Sequence, residues 1–130
     1  MTVYDSSVLI DYLAGRDVAV EYVHEHADEP ANAPPLVLFE VYQGEVFRSG
    51  STDLDAVDDA LGWIQVVDTS ATVAREVAVL QDALRDRGDP LAARDAFIAG
   101  TAVALDERLA VSDADFDVDG LRDVLDLDLV

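Results

Sequence analysis

The chain has 130 residues, 51% of them hydrophobic, and carries 28 acidic against 8 basic residues for a net charge of -20; its mean hydropathy is +0.15. That length supports one compact domain over residues 1–130, and the apolar content excludes a disordered acidic tail. The absence of cysteine excludes a disulfide framework, a thiolate zinc site and a cysteine nucleophile, so any metal must be held by oxygen.

Thr2 to Asp5 is a short β-type run ending in an acid, after which Ser6 or Ser7 can cap a helix carrying Val8, Leu9, Tyr12 and Leu13 and closed by Gly15. A second helical stretch, about Val18 to Ala27, carries Val20 and Val23 before Pro30 stops it. Asn32, Ala33 and Pro34 read as an extended lead into a helix from Pro35 to about Arg48, ended by Ser49 and Gly50. Thr52 to Asp55 has a capping-box pattern with Asp in place of Glu, ahead of a short helix striped by Leu54, Val57 and Leu61. Trp63 to Val67 reads as a strand. Beyond Thr69 or Ser70 as a cap, Val73, Val77, Leu80 and Leu84 recur every three or four residues, and Gly88 ends that helix. Another helix follows Pro90 and runs to about Leu105. Leu109 to Val111 reads as a buried strand ending at Ser112 and Asp113, and a last strand falls near Val124 to Leu127 after a turn at Gly120. This alternation of strands and helices implies an α/β fold with right-handed crossovers and a mostly parallel sheet covered by helices on both faces.

No apolar run exceeds four residues and no signal-peptide pattern opens the chain, so a soluble cytoplasmic protein without a membrane partner is expected. The acids comprise 21 Asp and 7 Glu, and every basic residue is arginine. Such a composition matches a salt-adapted, halophilic source. At 1 M salt the Debye length is only ~3 Å, so a crowded carboxylate surface repels itself little. An acid therefore counts as functional only where its surroundings predict burial.

Four carboxylates meet that condition. Asp5 and Asp113 each directly follow a strand, and in open α/β sheets ligands bind beyond the strands' carboxyl ends. Glu40 has Leu36, Val37 and Phe47 as helical neighbours, and Asp95 has Leu91, Ile98, Ala99 and Ala102, so both interrupt apolar stripes. A plainer reading stays open for each: Asp5 can cap the helix behind it, Asp113 can cap the Asp115 turn, and Glu40 or Asp95 can pair with Arg94. His24 and His26 are expected to face solvent.

With so few cations available, crowded buried acids call for a divalent metal, and oxygen donors suit magnesium or manganese. A metal-activated water acting on a phosphodiester is the chemistry such a site provides. Other phosphate chemistries lack their residues: Asp5-Ser6-Ser7 has no second acid for an Asp-x-Asp phosphotransferase, a receiver domain needs a lysine, and no glycine-rich phosphate loop occurs. Asp115, Asp117, Asp119, Gly120, Asp123 and Asp126 imitate the spacing of a calcium loop, with Asp where a bidentate Glu belongs.

Taken together, VYDSSVLIDYL around Asp5, LVLFEVYQG around Glu40, RDAFIAGTA around Asp95 and LAVSDADF around Asp113 resemble a PIN domain, above all the VapC-type toxin ribonucleases. The resemblance spans nearly the whole chain. It implies a three-layer α/β/α nuclease fold in which Asp5, Glu40, Asp95 and Asp113 gather around one or two magnesium or manganese ions, with Asp115 as a further ligand. It also implies endoribonuclease activity on RNA, a homodimer, and inhibition by a cognate antitoxin whose basic tail enters the acidic cleft. Ser7 stands where many relatives have asparagine, and Ser112 where many have threonine. Arg94 and Arg108 are the candidates for phosphate contacts. A PIN-fold binding or regulatory module without catalysis is the alternative, and a calcium-binding module the third.

Overall fold

The computed structural model describes residues 1–130 and contains five strands, β1 (Thr2–Tyr4), β2 (Ala31–Ala33), β3 (Ile64–Val66), β4 (Arg108–Val111) and β5 (Leu127–Leu129). All pair in parallel in the order β3-β2-β1-β4-β5. The chain therefore winds outward from β1 to β3 in one direction, then returns to place β4 and β5 on the other side of β1. With right-handed crossovers that reversal puts the helices after β1 and β2 on one face and those after β3 on the other. The first layer holds α1 (Ser6–Leu13), α2 (Asp17–Glu25), α3 (Pro35–Val46) and α4 (Leu54–Ala60); the second holds α5 (Ala71–Asp86), α6 (Ala93–Leu105) and the one-turn α7 (Asp119–Arg122). The result is the expected three-layer α/β/α fold.

Register shows which side chains share a face. Tyr4 pairs with Ala110 and Ala110 with Asp128, so Tyr4 and Asp128 project to the α1–α2 side, where Tyr22 of α2 donates to Asp128 at 2.7 Å. Tyr4 also meets the rings of Tyr22 and Trp63 edge-on at 6.0 and 5.4 Å. On the opposite side α5 and α6 pack so closely that a Cβ on Gly100 would lie 2.5 Å from Val77 Cγ2. Val77, Leu80 and Leu84 of the α5 stripe are buried as their spacing predicts. Gly88, at φ +79, closes the helix in a conformation that disfavours a Cβ.

Several expectations are corrected. Residues 31–33 form a central strand rather than a lead-in, because Ala31 and Asn32 pair with β1 and all three pair with β3. Asp53, not Thr52, caps α4 by accepting from the Ala56 N–H at 3.0 Å. The helix expected from Pro90 starts only at Ala93, since Gln81 of α5 takes both backbone groups of Leu91. The last strand is displaced to Leu127–Leu129, and α7 occupies the stretch before it. The calcium-loop spacing forms no loop: Gly120 lies in α7 against Leu84, Asp117 pairs with Arg122 and Asp123 with Arg87. His26 stacks on Tyr22 instead of standing free, while His24 is exposed.

Candidate active site

The reversal of winding falls between β1 and β4, so the carboxyl ends of these adjacent strands open onto one crevice. Asp5 and Asp113 stand at those two ends. Each does what the plainer reading says and more. Asp5 caps α1 through Oδ2, which accepts from the Ser7 N–H at 3.1 Å and from Ser7 Oγ at 2.5 Å. Those bonds lock its rotamer and leave Oδ1 buried with no hydrogen-bond partner. Asp113 caps the 3-10 turn Ala114–Phe116 through Oδ1, which accepts from the Asp115 N–H at 2.9 Å. Ser7 Oγ also accepts from the Ser112 N–H at 2.9 Å, which ties the ends of β1 and β4 together.

Two helices complete the crevice. Asp95 lies in the first turn of α6 and is 7% exposed, its neighbours Ile98, Ala99 and Ala102 being fully buried, as the stripe predicts. A carboxylate there also faces the positive end of the helix dipole. Glu40 of α3 is half-buried; its supposed stripe partner Phe47 is 79% exposed, so only part of that face is core. Asp115 sits at the exposed rim, and its backbone N–H donates to Asp113 Oδ1.

Arg94 stands among the acids. Its Nε donates to Glu40 Oε2, Nη1 to Asp95 Oδ1 and Nη2 to Ser6 Oγ at 2.8 Å, and Nη2 approaches Asp5 Oδ1 to 3.5 Å. Burial works against its charge, but the bond to Glu40 and the fields of Asp5, Glu40 and Asp95 hold its pKa above the ordinary value. Arg108, the other arginine considered for phosphate contact, begins β4 at the far end of the sheet and pairs with Glu29 and Asp128. Neither Ser6 nor Ser7 is the cap of α1, which Asp5 provides; Ser6 instead lies buried in the first turn and accepts from Arg94, a role its sequence position did not signal.

Electrostatics mark the crevice as strained. Burial raises the pKa of Asp5 against the opposing Ser7 hydrogen bonds and the Arg94 charge. Burial also raises that of Asp95; Arg94 opposes this, and the nearby Asp5 and Asp113 charges reinforce it. As the side chains stand, no three acids or histidines converge tightly enough to enclose an ion, the Arg94 guanidinium lying between them. The donor set nevertheless fits a hard cation. Asp5 Oδ1, Glu40 Oε1 and Ser112 Oγ are buried oxygens without a partner, and such atoms are costly unless a cation or water takes them.

A parallel sheet with a carboxylate-lined crevice at its switch point defines a class of α/β/α proteins whose ligands bind beyond the carboxyl ends of the strands. Within that class, residues 2–120 match the PIN domain, and the chain belongs to the PIN domain family. No curated protein matches it in sequence. Among solved structures it is similar to FitAcB from Neisseria gonorrhoeae, with a TM-score of 0.82 at 17% identity over 98% of this chain and 96% of that one. It is also similar to VapBC2 from Rickettsia felis bound to a promoter DNA fragment, at 0.80, 17%, 98% and 96%. A toxin-antitoxin complex from Klebsiella pneumoniae aligns at 0.75 and 22% identity, over 92% of this chain and 94% of that one. At such identities the likeness establishes the shared fold.

Proposed function

We propose that this chain is a magnesium- or manganese-dependent endoribonuclease, the VapC-type toxin of a toxin-antitoxin pair. The observation that carries the reading is the set of buried oxygens on Asp5, Glu40 and Ser112 that lack a hydrogen bond, in a crevice of acids with Arg94 as its one cation. Asp5, Glu40, Asp95 and Asp113 would hold the ion, with Asp115 adding an oxygen from the rim. With an ion bound, the site gains a water of lowered pKa and a positive charge to offset the phosphodiester's developing negative charge. Ser7 keeps Asp5 pointed inward by engaging its other oxygen, and the apolar neighbours of Asp95 exclude bulk water. RNA is the substrate on this reading, with the salt of the medium screening the net charge of -20.

The surface supports an antitoxin partner. A groove of about 530 Å³ between α1, α3 and α4, lined by Ile10, Leu13, Val41 and Val57, accepts apolar side chains, while the crevice acids accept a basic segment. A cognate antitoxin offering both is the proposed inhibitor, and the nuclease is expected as a homodimer. The decisive experiment incubates a mixed RNA pool with the protein in high-salt buffer. Cleavage that needs manganese, stops with EDTA and falls to background in Asp95→Asn is expected; full activity of that variant, correctly folded, refutes the reading. The non-catalytic alternative draws on the placement of Arg94 among the acids, and it predicts no metal-dependent turnover on any RNA.

A further inference from the structure

Cations are scarce in this chain, and one of its eight arginines is placed inside the acid cluster. Arg16, Arg48, Arg85, Arg87, Arg108 and Arg122 pair with carboxylates elsewhere. We infer that Arg94 is a built-in counter-cation of the site: its guanidinium holds Asp5, Glu40 and Asp95 together in the metal-free protein, and a divalent ion binds only by displacing it from their oxygens. The inference rests on the metallonuclease reading above.

Three observations carry it. The guanidinium bonds Glu40 Oε2 and Asp95 Oδ1 and lies 3.5 Å from Asp5 Oδ1, while that atom and Glu40 Oε1 stay buried without a hydrogen bond. One planar fork reaches three carboxylates from three different nitrogens in fixed directions, where a compact ammonium would act as a single point charge. The acids do not converge on an ion position while Arg94 stands between them, and two cations drawn to the same oxygens repel each other. The arginine is also free to leave: it lies in the first turn of α6, its side chain is 37% exposed, and its only uncharged anchor is Ser6 Oγ. Arg94 is thus a positioning residue that sets how readily the site loads. Removing it leaves three carboxylates uncompensated in a half-buried crevice, so the metal-free fold weakens while affinity for a divalent ion rises.

The test is calorimetric titration of the full chain with manganese chloride, beside thermal melts in EDTA and in manganese. Arg94→Gln should bind manganese at least about tenfold more tightly than the wild type, melt lower in EDTA and gain more on manganese addition. Arg94→Lys should fall between, because it keeps the charge and loses the fork. Affinity in Arg94→Gln equal to or below that of the wild type overturns the counter-cation role and leaves the nuclease reading standing. Absence of manganese binding in both proteins overturns the two together. The wild type alone provides a measurement independent of the variants: the Arg94 Nε–H nuclear magnetic resonance should shift and lose its exchange protection as magnesium saturates the site. A signal that stays unmoved while magnesium binds overturns the proposal.

Discussion

At the scale of single residues, the site is built from groups with two duties. Asp5 caps a helix with one oxygen and presents the other to the crevice, so on the proposed reading capping and ligation would be one arrangement rather than rival explanations. Ser7 depends on that geometry too. Ser7→Ala deletes a hydroxyl that donates to Asp5 and accepts from the Ser112 N–H, and should cost about 1–3 kcal/mol in urea denaturation. The buried acids set a pH dependence. The pKa values of Asp5 and Asp95 lie above their unfolded values, so their contribution to stability is fully present below the unfolded pKa and is lost as pH rises through the folded one. Metal-free Asp95→Asn should therefore be more stable than the wild type at pH 7, with the difference shrinking toward pH 4; melts in EDTA across that range check the sign. Burial of Asp95 was legible because Ile98, Ala99 and Ala102 surround it on any helix, whereas Ser6 and Arg94 meet only through the fold.

At the scale of elements, legibility followed periodicity. The α5 stripe of Val77, Leu80 and Leu84 announced its own buried face, and the helix it faces is packed to contact at Gly100. Gly100→Ala should accordingly destabilise the protein by about 1–3 kcal/mol, measured by thermal or urea unfolding, because Val77 Cα and Cβ leave the new methyl no room. Strand β2 had no such signal. Ala-Asn-Ala has little β-propensity, and its extended form comes from hydrogen bonding to the strands on either side. The start of α6 was displaced for a similar reason: a side chain on α5 captured Leu91, which nevertheless stays buried beside the helix it was expected to join. Segment 115–126 shows the hazard of spacing in an Asp-rich chain. Asp117 and Asp123 pair with different arginines, and its glycine serves packing against Leu84.

At the scale of the whole molecule, charge governs. Most of the 28 acids lie outside the crevice, and isolated surface ion pairs offset their repulsion only weakly. The melting temperature of the metal-free protein should rise steadily between about 0.1 and 2 M KCl, and a flat or falling profile would refute a salt-adapted surface. The alternation of helices and strands, the parallel sheet and the burial of Asp5 and Asp95 were determined by the sequence itself, since hydrophobic period and local burial depend on neighbours along the chain, whereas buried Glu107 had no such signal. The meeting of Asp5 and Asp113 across adjacent β1 and β4, the strand at residues 31–33 and the insertion of Arg94 among carboxylates from two helices and a strand end were decided only in the tertiary structure. Those contacts depend on which strands lie side by side, and parallel pairing joins segments whose separation in sequence carries no local pattern.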